Sequence, residues 1–98
     1  MDTKKKRMLH QAVEYYGKYT ENQAKVLCAL VDNSVDDQVF IHVTKLYKQI
    51  GVTRSPIYAT LNVLQIDGIL IKKDNSKNLF NINQEKIDFI IKSYKSNV

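Results

Sequence analysis

Between Thr44 and Leu61 two short apolar-periodic runs stand on either side of one glycine, and no other feature restricts the fold as tightly. Leu46, Tyr47 and Ile50 precede Gly51 at helical spacing; Ile57, Leu61 and Leu64 follow it. Glycine ends a helix in the left-handed conformation at little steric cost. The spacing therefore predicts a short helix over Thr44–Ile50, a tight turn, and a second helix from Thr53 to about Asp67, closed by Gly68. Leu46, Ile50, Val52 and Ile57 sit at the offsets that lock two such helices across one another. Thr44 and Thr53 are the predicted N-caps. Pro56 falls in a first turn, where its missing N–H leaves no helical bond unmade.

The flanks read as follows. Leu9, Ala12, Val13 and Tyr16 form one helical stripe that ends at Gly17. Thr20 and Gln23 make a capping box for a helix over about 21–32. Ala24, Leu27, Cys28 and Val31, with Val26 and Leu30 beside them, give that helix the wide apolar surface of a central core element. Val39-Phe40-Ile41 predicts a small strand. Ile69 to Lys73 and Leu79 to Ile82 predict a hairpin around the turn cluster Asp74 to Asn78. Asn83 caps a last helix over 84–95, with Ile87, Ile90, Ile91 and Tyr94 as its stripe. The expected class is α+β, in the order α-α-β-α-α-β-β-α, as a single domain over residues 1–98.

Composition narrows the function. Ninety-eight residues make one core but not a core with a deep catalytic cleft. No nucleophile–base set stands out, so no enzyme is expected. The net charge of +5 favours a polyanionic partner or a merely solvated basic surface. Cys28 is the lone cysteine and cannot form an internal disulfide. With no signal-peptide apolar region and no run long enough to span a bilayer, the expectation is a cytoplasmic protein without membrane association. His10 and His42 lack companions at metal-ligand spacing, so neither a metal nor a cofactor is expected.

The segment Thr44–Ile82 resembles the winged helix-turn-helix family of bacterial regulators. Thr53-Arg54-Ser55-Pro56-Ile57-Tyr58 is similar to the start of that family's recognition helix. Leu64-Gln65-Ile66-Asp67-Gly68-Ile69-Leu70 is similar to its exit into the wing. Tyr47 departs from the pattern, because the family places a small residue at the helix crossing. The gapless run from Thr44 through Ser55–Asn62 to Asp67-Gly68 also resembles a narrower group, the TubR-type centromere-binding proteins of plasmid and phage partition systems. Those proteins couple DNA to a tubulin-like GTPase. The resemblance implies a winged helix with extra N- and C-terminal helices: helix-turn-helix 44–67, wing 69–82. It implies sequence-specific binding of double-stranded DNA, in partition or as a transcriptional repressor. The rival is a winged-helix protein–protein module without DNA binding.

The candidate DNA-binding residues follow from that layout. Thr53 and Arg54 are candidates at the start of the second helix, where Arg54 can donate a bidentate pair to guanine or meet a phosphate; a solvated first-turn residue is the plain alternative for Arg54. Ser55, Tyr58 and Asn62 fall on or near the exposed side, although Tyr58 could equally pack against a neighbour. Lys72, Lys73 and Lys77 give the wing a basic character, with Asn75 and Asn78 at its tip. Lys4 to Arg7 read as a basic arm over residues 1–7. The apolar stripes of the first and last helices exceed what so small a domain needs internally. They therefore predict a homodimer whose seam includes Leu9 and Ile91, and which would present two recognition helices to the duplex.

Overall fold

The computed structural model describes residues 1–74 and 76–96. Among them the chain forms five helices and three strands: α1 (Thr3–Tyr16), α2 (Glu21–Asn33), β1 (Gln38–Phe40), α3 (Val43–Ile50), α4 (Arg54–Ile66), β2 (Leu70–Lys72), β3 (Leu79–Ile82) and α5 (Gln84–Ser96). The class is α+β and the order is the expected one. The strands make an antiparallel sheet in the order β1-β3-β2, with Val39 opposite Phe80 and Leu70 opposite Ile82. This layout is compatible with a winged helix. No helix is long and apolar enough to cross a membrane among the described residues.

Local chemistry sets most of the boundaries. Lys5 N donates to Asp2 Oδ1 at 2.7 Å to start α1, and Gly17 ends it at φ 73°. At the head of α2, Gln23 N donates to Thr20 Oγ1 and Thr20 N to Gln23 Oε1, at 3.2 and 3.0 Å. Helix α2 is the hub: Val26, Leu27, Ala29, Leu30 and Val31 are buried, and α1, α3, α4 and β1 pack around it. Cys28 is half-buried at its edge rather than in the core. Gly51 turns the chain between α3 and α4 at φ 71°. Glu85 N donates to Asn83 Oδ1 at 3.1 Å at the head of α5.

Four expectations need correction. Helix α3 starts at Val43, one residue before Thr44. The cap is His42, whose Nδ1 accepts from Lys45 N at 3.4 Å, because Ile41 N donates to Asn78 O and so fixes where β1 stops. Thr53 occupies the N-cap of α4 in extended conformation but makes no capping bond. The third helical residue is Pro56, which has no N–H for the hydroxyl to accept from.

The basic N-terminus is not an arm: Lys4 to Arg7 lie within α1. Lys5 Nζ pairs with Asp88 at 2.7 Å and donates to Gln84 Oε1 at 2.6 Å, while Lys6 Nζ donates to the carbonyl of Asp32. Finally, α1 and α5 pack on each other inside one chain. Leu9, Ala12, Val13, Ile87, Ile90 and Ile91 are all buried there, so the stripes expected at a dimer seam belong to the core.

Candidate nucleic-acid interface

Helix α4 divides into two faces. Ile57, Thr60, Leu61 and Leu64 are buried against the core, and the Thr60 hydroxyl donates to Pro56 O at 2.8 Å. Ser55, Tyr58, Ala59, Asn62 and Ile66 recur at helical spacing on the other side and are exposed, as is Arg54 at the tip. Tyr58 is 56% exposed and Ile66 84%. Tyr58 thus does not serve as a packing residue within the chain. The large side chain of Tyr47, where a small residue was expected, is 44% exposed.

Arg54 reaches back across the turn. Its Nη2 donates to Thr44 Oγ1 at 3.1 Å, joining the first turn of α4 to that of α3. The two helices, the end of β1 and the hairpin residue just before β3 enclose a shallow groove of about 280 Å³. Phe40, His42, Thr44, Arg54, Tyr58 and Asn78 line it. Arg54, Tyr58 and Asn78 are therefore brought together. Thr53 at the N-cap, and Ser55 and Asn62 on α4, lie outside the groove. Lys72 and Lys77 stand exposed on the hairpin, and Lys73 is half-buried with its backbone N–H donating to Leu79 O. Asn78 is exposed and its carbonyl ties the hairpin to β1; Asn75 lies outside the described residues.

The charges are unevenly shared. No Asp or Glu occurs between Gln38 and Ile66, a stretch that carries Lys45, Lys48 and Arg54. The ion pairs with a Lys lie elsewhere: Lys5 with Asp88, Lys18 with Asp67 at 3.3 Å, and Lys25 with Glu21 at 3.6 Å. Among the described residues Lys45, Lys48 and Arg54 form no ion pair, and uncompensated cations attract polyanions most strongly at low salt.

Three contributors escaped the sequence reading. Phe40 is 62% exposed at the groove, as the alternation Val39-Phe40-Ile41 could have shown, since successive strand residues face opposite ways. His42 had no local signal, and Thr44 was legible only as a helix cap. The acid-free stretch was visible but is hidden when charge is counted over the whole chain. Away from this face, His10 Nε2 lies 2.9 Å from Asp32 Oδ1, and no group of three or more His, Cys, Asp or Glu among the described residues is placed to hold a metal ion. Compared with known proteins, the chain matches no family model, no curated sequence and no solved structure.

Proposed function

We propose that this chain binds double-stranded DNA as a winged helix, with the outward face of α4 in the major groove and the β2–β3 hairpin against the backbone. One observation carries the reading. The stretch from Gln38 to Ile66, which contains α3 and α4, is free of acidic residues and carries Lys45, Lys48 and Arg54, while Ser55, Tyr58 and Asn62 are exposed on α4 with no role in the core. Hydroxyl and amide side chains of this kind read base edges, and cations beside them hold the phosphates. The basic hairpin extends the same character.

The direct test is a titration of labelled duplex at several salt concentrations. A DNA binder loses affinity steeply as salt rises, by a slope that counts the phosphates engaged. Binding that is absent, or flat with salt, would instead favour the protein–protein module. Within the DNA reading, the resemblance of Thr44 to Gly68 supports a partition protein that loads a cluster of repeated sites. Footprinting separates this from a repressor, which would protect one short palindrome. Two copies on a duplex would have to associate through a face other than the Leu9–Ile91 seam, which is interior.

A further inference from the structure

The groove between β1, α3 and α4 has a donor set that the rest of the α4 surface lacks. Arg54 does not project freely from the tip of its helix: the bond from Nη2 to Thr44 Oγ1 holds the guanidinium against α3. A guanidinium carries five N–H donors in a planar fork, and this bond uses one. The Thr44 hydroxyl accepts from Arg54 and so fixes the direction in which the remaining donors of the fork point. Tyr58 brings a phenol and Asn78 an amide to the same groove, and no acidic side chain lines it. The set is cationic, rich in donors and open to solvent, which suits a singly charged oxyanion.

The element to which Arg54 is tied decides which oxyanion. In a helix-turn-helix the second helix enters the major groove while the first crosses the backbone. Thr44 belongs to the first, so a guanidinium tethered to it is held on the backbone side rather than over base edges.

We propose that this groove clamps one phosphodiester of the DNA backbone, with Arg54 as the contacting residue and Thr44 as the residue that positions it. The proposal rests on the DNA-binding reading above. It removes Arg54 from sequence discrimination and leaves that task to side chains such as Ser55 and Asn62.

The test uses the full chain, a duplex selected by the wild type from a random pool, and a scrambled duplex of equal length. Affinities are measured across a salt series. Arg54→Ala should weaken both duplexes by the same factor, on the order of tenfold, and lower the salt slope by about one unit. Thr44→Val should cause a smaller uniform loss, Thr44→Ser should restore it, and the valine should cost nothing further on an Arg54→Ala background. Replacing single phosphates with methylphosphonate should reveal one position that weakens the wild type and leaves Arg54→Ala unaffected.

Thermal melts confirm that each variant is folded, and Arg54→Lys supplies a second variant that keeps the charge. It should hold the salt slope yet lose affinity with the fork geometry. If Arg54→Ala abolishes preference at one base pair and leaves the slope intact, the clamp is wrong although DNA binding stands. Additive losses in the double variant would remove Thr44 from its role. A wild type that retains neither duplex would overturn the DNA reading itself.

Discussion

Leu9→Ala separates a core residue from an interface residue. Leu9 is fully buried (0% exposed) at the contact of α1 with the core. Truncating a buried leucine removes its transfer free energy and leaves a cavity, together about 3 kcal/mol at a site that collapses poorly. A domain of this length has a total stability on the order of 5–15 kcal/mol, so the loss is a large fraction of it. At about 4–8 °C per kcal/mol, the melting temperature should fall by roughly 12–24 °C. Leu9→Asp would add the cost of an unpaired carboxylate in the same place and should abolish folding. Circular dichroism melts at two protein concentrations, read beside sedimentation velocity, make the assay. An internal packing defect lowers the midpoint equally at both concentrations, whereas a subunit interface makes the midpoint concentration-dependent. A Leu9→Ala chain that melts like the wild type and merely sediments as a smaller species would refute the assignment of this stripe to the interior.

Replacing Lys72, Lys73 and Lys77 together should lower affinity for all duplexes and flatten the salt slope by up to about one unit per contacted phosphate; an unchanged slope removes the hairpin from the interface. Gly51→Ala should cost about 1–2 kcal/mol in a chemical melt from the left-handed backbone alone, since no heavy atom lies within 4 Å of the added Cβ. A neutral outcome there would mean that the turn relaxes. Burial pushes the Cys28 thiol up to about 11, helped by the nearby Asp32, and burial with the Asp67 hydrogen bond raises the Tyr19 phenol as well. Both groups hold their protons more tightly folded than unfolded. Their contribution is therefore complete below about pH 9 and declines as pH rises toward 11. A Cys28→Ser, Tyr19→Phe chain should show a shallower alkaline loss of stability, and an identical alkaline limb would show that neither group matters. By the same cause, alkylation of native Cys28 should stay slow at pH 8 and accelerate on unfolding.

What the sequence disclosed and what it hid divide along a physical line. Local signals read true: the Thr20–Gln23 capping box, the left-handed Gly17 and Gly51, and the buried stripe of α4 all depend on neighbours within one turn. The stripes of α1 and α5 were equally plain, but periodicity says which side chains leave water and not what they pack against. Leu9 and Ile91 were thus identified as apolar contacts and assigned to the wrong partner. The head of α3 was misplaced because β1 stops where Ile41 meets Asn78, a contact across more than half the sequence interval of the sheet. Thr53 misled for a local reason that was legible, the absent N–H of Pro56. On the candidate interface, the exposure of Ser55, Tyr58 and Asn62 follows from the complement of the buried stripe. The bond between Arg54 and Thr44 depends on how two helices cross, and no spacing rule gives it.

The packing of α1 against α5 also governs when this protein can become itself during synthesis. The two helices stand at opposite ends of the sequence, and each covers the apolar stripe of the other. A ribosome adding about 5–20 residues per second takes on the order of 4–16 s between the emergence of Leu9 and that of Ile87. Throughout that interval α2 can shelter only part of the first helix, and the remainder is bare to chaperones, proteases and other nascent chains. Translation that halts after the wing would therefore yield a species with every candidate DNA contact already made and its first helix still uncovered. For this fold α5 is the step that covers the adhesive stripe of α1.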